Sequence, residues 1–362
     1  MKKTWIPSTL TLVISLLVLA SVLVPAGGDP EALARVGTRY KDGDPQGTEG
    51  YDGQFVLSIA SNPAPQEAAP HLDVPAYRYQ RILLPILAHL FSLGQERWVP
   101  WLIVALNLGA HLVGTWVLAR YLKEHGVNPL YALYYGIWVG SLLAIRLDLP
   151  EPLAFALVIL GFQALTSERD WIGWVLMGLA LFAREVTGVF IAAQVLVYLY
   201  KKQWSRAAGL STIGVVPFLV FQVWLKSVFG SYGVGSGGAM ATSFEWIPFL
   251  GILRIASYSG LLFLIYLVIF GPFVIYPALV GVYMGFKSAI EGKINIGSAA
   301  YWIQGLTFLF LPFSTYREPG GLLRFANGLV LALLLYISHN RPPRLIRYLP
   351  LSFVLLLFLV EV

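Results

Sequence analysis

Two short segments of the chain carry residue types that do chemistry. One reads Gly50-Tyr51-Asp52-Gly53-Gln54-Phe55, the other Asp73-Val74-Pro75-Ala76-Tyr77-Arg78-Tyr79-Gln80-Arg81. A carboxylate such as Asp52 can take the proton of an incoming hydroxyl. Guanidiniums such as Arg78 and Arg81 fit phosphate oxygens as bidentate forks and keep their charge at any relevant pH. The same arginines would stabilise charge growing on a departing phosphate. Together these groups imply transfer of a sugar from a lipid-phosphate carrier. Simpler readings stand beside this one. Asp-Gly is a strong turn former, Asp73 before Val74-Pro75 suits a loop or the orientation of an arginine, and arginines also anchor helices to lipid headgroups.

Further charges sit at the ends of apolar runs: Arg146, Asp148, Glu151, Arg184, Glu185, Arg254, Arg317, Glu318 and Arg324. Ionisable groups near a bilayer core are costly and usually face a cavity or a partner. Arg184 with Glu185, and Arg317 with Glu318, are neighbours in sequence, but adjacent helical residues do not face one another. Asp148 and Glu151 are read as possible substrate ligands. His71, His89 and His111 lack compelling ligand spacing, so no metal and no cofactor are expected, with Asp52, His71 and Asp73 the only divalent-cation arrangement considered. No glycine-rich nucleotide loop follows a strand.

The elements that must position these residues are membrane helices. Of 362 residues, 57% are hydrophobic and only 12% charged, against about 25% charged in ordinary soluble domains. The mean hydropathy is +0.70. With no cysteine, thiolate catalysis and disulfides are excluded. The net charge of +6 is read as loop lysine and arginine set by topology rather than as a nucleic-acid surface. A span needs roughly 20 apolar residues, which predicts about eleven helices. They are Ile6 to Val24, Trp98 to Leu122, Pro129 to Ile145, Pro152 to Thr166, Trp171 to Ala183, Val186 to Tyr200, Ala207 to Val228, Leu261 to Phe286, Ile296 to Phe313, Gly320 to Ile337 and Leu349 to Val360. The first, with its small-residue exit Val24 to Gly28, is read as an uncleaved signal anchor.

Lys2, Lys3, Lys123, Arg169, Lys201, Lys202, Arg206, Lys287, Lys293, Arg341, Arg344 and Arg347 fall on the side of the amino terminus, which is therefore read as cytoplasmic. The loop 25–97, with Asp52, lies on the other side. Phe55 to Ala60 and Ile82 to Leu93 are too short to span and are read as interfacial helices. Gly271-Pro272 predicts a kink. Gly230 to Gly238 is read as a flexible linker rather than a lid.

At the two opening motifs, at Leu147-Asp148-Leu149-Pro150-Glu151-Pro152 and at Ala183-Arg184-Glu185-Val186-Thr187, the chain resembles the bacterial integral-membrane glycosyltransferases of the GT-C superfamily. The likeness is to the branch associated with cell-surface glycopolymer formation, and more distantly to lipid-linked mannosyl- and arabinosyltransferases. It covers roughly the first 200 residues; beyond Trp204, hydropathy and Arg317-Glu318-Pro319 carry it. It implies an all-α membrane bundle and inversion at the anomeric carbon. The implied donor is a polyprenyl-phosphate sugar, and the acceptor a glycan or lipid-linked glycan on the extracytoplasmic face of the cell membrane. Asp52 becomes the general base, while Tyr77, Arg78, Arg81, Arg184, Glu185 and Arg317 bind the donor; Asp73, Asp148 and Glu151 are further candidates. Residues 1–228 would form the catalytic module and 229–362 a variable set of carboxy-terminal helices within one embedded domain. The other class considered, a transporter or flippase of a lipid-linked sugar, would need the arginines but no base.

Overall fold

Apolar runs of helical length, cut by charge, proline and glycine, leave the backbone one economical way to satisfy its hydrogen bonds in a hydrocarbon environment. The computed structural model describes residues 3–342 and 349–361 and is helical throughout, with no strand among the described residues. Lys2, Arg344 and Arg347 of the charge bias lie outside them. Among the described residues, five helices are long and apolar enough to cross a membrane: Trp5–Leu23 (α1), Glu96–Glu124, whose α-helical part Val99–Glu124 is α5 below, Trp204–Phe229 (α10), Gly260–Ile290 (α11) and Pro319–Asn340 (α13). Between α1 and α5 come Gly53–Ser61 (α2), Pro75–Tyr79 (α3) and Leu83–Phe91 (α4). Further elements include Val139–Arg146 (α6), Glu151–Thr166 (α7), Asp170–Ala183 (α8), Gly188–Tyr200 (α9) and Ile296–Leu309 (α12).

The core is built by α5 against α7, α7 against α8, and α12 between α11 and α13. Helix α13 is buried along most of its length, whereas α1, α10 and α11 turn most of their apolar side chains outward. That outward oil, Leu16, Leu17, Val220, Val223, Leu264 and Val268 among it, is the face a bilayer would cover. Close helix contact relies on small residues, as where a Cβ on Gly178 of α8 would come within 3.0 Å of the Gly214 backbone of α10.

Several expectations change here. Pro129 to Ile145 is not one helix: it breaks into turns over Pro129–Ala132 and Leu133–Gly136, and α6 begins only after Trp138. Leu349–Leu357 winds as a 3₁₀ segment. The short helices α7, α8 and α9 reach only about 20–24 Å at 1.5 Å per residue, less than a hydrocarbon core. Phe55 to Ala60 does not lie along a membrane surface, because seven of the nine residues of α2 are buried. Its Val56, Leu57 and Ala60 pack with Leu84, Ala88, Val99 and Ile103, and its Phe55 and Ile59 with Leu72, Tyr79 and Leu225. Helix α4 does expose an apolar tip, at Leu90, Phe91 and Leu93. The kink foreseen at Gly271-Pro272 is a π-turn over Gly271–Ile275, and α10 contains a second over Ser211–Val215, ahead of Pro217.

Candidate active site

Asp52 stands immediately before α2, yet its carboxylate caps no backbone N–H of that helix. The turn-former account of Asp-Gly is therefore incomplete. Gly53 answers a different need, since a Cβ there would fall 2.2 Å from the Leu147 carbonyl oxygen, so only glycine lets α2 press against that turn. The freed Asp52 carboxylate pairs with Arg78, 2.9 Å from its Nη1, and lies 3.6 Å from Nη1 of Arg324. Its side chain remains 31% exposed in a group otherwise closed to solvent, so it is reachable by an incoming molecule.

The two arginines of the second motif are each backed by an acid. Arg78 donates through Nε and Nη2 to the two oxygens of Asp73, at 2.7 and 2.8 Å, while its guanidinium lies 4.2 Å from the Phe55 ring centre. Asp73 is thus an orienting partner. Arg81 forks onto Glu185 with distances of 2.9 and 2.6 Å and donates to the Tyr77 hydroxyl at 2.6 Å. Tyr77 lies in α3 and Arg81, four residues on, in the turn that follows it. Pro75 at its start supplies the helical φ without wasting a donor.

A third unit closes the far wall. Arg324, on the first turns of α13, is 4% exposed. It approaches Glu151 at 3.4 Å and Glu318 at 3.5 Å, and donates to the Tyr51 hydroxyl at 2.9 Å. Tyr51 in turn donates to Glu318; burial, the largest influence on its phenol, keeps it well above its ordinary pKa and protonated. Arg184 approaches Glu151 at 3.5 Å, and its buried Nε has no hydrogen-bond partner.

Between these units lies a narrow recess of about 20 Å³, room for about one water molecule. Its polar wall is Asp52, Arg78, Arg81 and Arg184; its apolar wall is Phe55, Val56, Ile59, Pro85, Leu149 and Pro150. Three guanidiniums against one carboxylate, facing oil, suit an anionic group attached to a hydrocarbon or to the apolar side of a ring.

Of the residues singled out from sequence, Asp52, Asp73, Tyr77, Arg78, Arg81, Glu151, Arg184 and Glu185 are joined in this network. Four are placed elsewhere, among them Arg146, which donates to the Leu359 carbonyl at 2.7 Å, and Arg254, which pairs with Glu245 at 2.9 Å. Arg317 points its Nη2 at the Met240 carbonyl, 3.4 Å away, and forms no ion pair among the described residues. Asp148 is 1% exposed, with Oδ1 unpartnered and no ion pair among the described residues. Burial raises its pKa well above the ordinary carboxylate value. Its backbone is left-handed, at φ 53°, which Asp tolerates. Glu318 and Arg324, singled out from the sequence as charges at the ends of apolar runs, also join the network, together with Tyr51. The signal was an arginine inside the otherwise apolar run Gly320 to Ile337. The segment after α10 also differs from a free linker: Ala239 N–H donates to Asp73 at 3.1 Å, and Gly233 and Val234 N–H donate to Gln222 at 2.9 and 3.0 Å.

The electrostatics predict an acid-labile site. Burial is the largest single influence on Asp52 and would raise its pKa, but Arg78, Arg324, Arg81 and Arg184 together outweigh it and hold the carboxyl at about 2. Burial likewise favours protonation of Asp73, but Arg78 and backbone N–H groups outweigh it and hold the carboxyl below its ordinary pKa. A depressed carboxylate pKa contributes stability that is full above its unfolded value and lost as pH falls through the folded one. Unfolding midpoints of the solubilised chain should therefore drop between about pH 4 and pH 2, and Asp52→Asn should flatten part of that drop. An unchanged acid limb in the variant would remove Asp52 from the network.

Comparison with protein-family models, curated proteins and solved structures yields no match.

Proposed function

We propose that the chain is an inverting membrane glycosyltransferase of the GT-C type, with about eleven membrane passes and the recess on the extracytoplasmic side. One observation carries the reading. An accessible carboxylate, Asp52, shares an oil-walled recess with three guanidiniums, each backed by its own acid. The donor would be a polyprenyl-phosphate sugar, its phosphate on Arg78, Arg81 and Arg184 and its lipid along Phe55, Ile59, Pro85 and Leu149. The acceptor hydroxyl oxygen bonds to the anomeric carbon from the face opposite the phosphate. The bond from that carbon to the phosphate oxygen breaks, its electron pair staying with the phosphate, and Asp52 takes the hydroxyl proton.

A carboxylate at a pKa of about 2 is ionised but is a weak base. The same arginines that depress it are the ones a phosphate would engage. Donor binding would neutralise part of their field and raise the Asp52 pKa, so the base gains strength only when there is a sugar to transfer. The test is native mass spectrometry of the solubilised chain titrated with polyprenyl-phosphate, for wild type, Arg184→Gln and Arg78→Ala/Arg81→Ala. We expect binding to fall about tenfold or more in the double variant and several-fold in Arg184→Gln, whose arginine makes only one long ion contact and should leave the fold intact. Undiminished binding by a folded Arg184→Gln and double variant would remove the phosphate site.

A second reading has one observation behind it. Two long helices, α10 and α11, are interrupted by π-turns next to proline, and broken helices are a feature of transporters. Translocation of a lipid-linked sugar without glycosidic product in reconstituted vesicles would favour a flippase. The recess, however, lies at the end of α7 and not at its middle, where an alternating-access site would be placed.

A further inference from the structure

Opposite the recess, the bundle holds a second polar cavity. Helix α7 begins at Glu151 in the arginine network and ends at Thr166, about 22 Å away at 1.5 Å per residue. Thr166 lines a cavity of about 220 Å³, formed where α5, α7, α9 and α13 end and α10 and α12 begin. Its polar lining includes Gln194, Tyr198, Lys201, Gln203, Arg206 and His339, and no carboxylate is among the residues that line it.

The cations are not equally committed. Arg206 is held by Asp170, 2.6 Å from its Nε, but Lys201 has no ion-pair partner among the described residues. His339 spends Nδ1 on the Leu335 carbonyl at 3.0 Å and the Ser338 hydroxyl at 2.9 Å, leaving its other ring nitrogen unspent. Tyr198 is 4% exposed, and its hydroxyl has no partner in hydrogen-bond geometry, with Trp174 and Gln194 its polar neighbours. The depth of the cavity is marked by aromatics: Trp171 in the first turn of α8, Tyr200 at the end of α9 and Trp204 at the start of α10 are all exposed. Exposed tryptophan and tyrosine in a membrane protein sit at headgroup level.

We infer that this cavity binds the phosphate of an anionic lipid headgroup, with Lys201 as the unpaired counter-charge and Tyr198 as a hydrogen-bond donor to a phosphate oxygen. Basic residues at this level attract anionic lipid in general. What makes the cavity more than a charged rim is its polar lining, with Gln194, Tyr198 and Gln203 beside the cations and no carboxylate among the residues that line it. The inference is independent of the chemistry proposed at Asp52, from which the cavity is separated by the length of α7.

The experiment uses the full solubilised chain in native mass spectrometry, with dioleoyl phosphatidylglycerol, dioleoyl phosphatidylcholine and inorganic phosphate as separate probes. Wild type should retain one phosphatidylglycerol about tenfold more strongly than phosphatidylcholine. Lys201→Gln should weaken it about tenfold and Tyr198→Phe a few-fold, while Arg184→Gln, in the other recess, leaves the Lys201-dependent molecule in place. Tyr198→Phe removes one oxygen and should melt with wild type, which keeps the test independent of folding. Equal retention of both lipids, or full retention by both cavity variants, would overturn the site. Binding of inorganic phosphate with the same Lys201 dependence and no lipid preference would assign the cavity to a soluble phosphate compound and overturn the headgroup reading.

Discussion

Replacement of Asp52 by Asn should leave a folded chain whose sugar transfer is about 10² to 10⁴ slower, because an amide cannot take the acceptor proton. The fold should survive. Asn keeps a hydrogen-bond acceptor for Arg78, and Arg78 retains its fork on Asp73. Donor affinity should hold or rise, since the substitution removes the negative charge that competes with phosphate for the same guanidiniums. The decisive measurement pairs single-turnover transfer with equilibrium donor binding on the same purified variant. Loss of both together would make Asp52 an architectural residue, and full turnover would remove it from the mechanism. A pH profile adds a second check. The acid limb of kcat/KM reports the free enzyme and that of kcat the loaded one. Because the arginines hold free Asp52 at about 2 and a bound phosphate would absorb part of their field, the kcat limb should lie at higher pH than the kcat/KM limb. Coincident limbs would mean that donor binding does not reach Asp52.

Hydropathy made α1, α5, α10 and α11 legible to within a few residues, since a long uninterrupted apolar run has few other ways to bury its backbone. It failed where oil is shared between protein and lipid. Phe55 to Ala60 reads the same whether its apolar face meets a bilayer or neighbouring helices, and here it is enclosed by α4, α5 and α10 residues. It failed again at Pro129 to Ile145, where composition is continuous but the chain turns at Gly136-Ile137-Trp138 to bring Trp138 Nε1 to the Leu323 carbonyl at 2.9 Å. The site was legible where partners share one short segment: Asp73 with Arg78 and Tyr77 with Arg81 are local pairs. Arg81 with Glu185, 104 residues apart, and Arg324 with Tyr51, 273 apart, depend on the tertiary fold. Arg317 and Arg324 illustrate the limit. Both follow the same apolar grammar, yet only the second faces inward, because α13 starts at Pro319 and places Arg324 in its first turns against Glu151 and Asp52.

That inward arginine carries the largest stability effect expected in the chain. Arg324→Leu should destabilise the protein by about 3–5 kcal/mol, the usual consequence of breaking a buried charge network by removing one partner. The cause is what remains. Glu151 is buried, its Oε2 already lacks a hydrogen-bond partner, and without Arg324 its remaining ion contact is Arg184 at 3.5 Å. Tyr51 and Glu318 would also lose the cation they share. If the damage lies in uncompensated charge rather than in lost packing, Glu151→Leu in the same chain should restore a substantial part of the loss, since an apolar pair of similar volume often replaces a buried ion pair at little cost. Denaturant titration of the solubilised chain, read as midpoints for wild type, the single variants and the double, separates these terms as a cycle. A double variant less stable than Arg324→Leu alone would place the stabilisation in the Glu151–Arg184 contact instead. The same variants bear on the order of events at the recess, because Arg324 touches both Asp52 and the Glu151 that positions Arg184. The stability of this corner and the placement of the proposed base are therefore set by one guanidinium, and a chain that has lost it should lose donor binding even after Glu151→Leu has restored its fold.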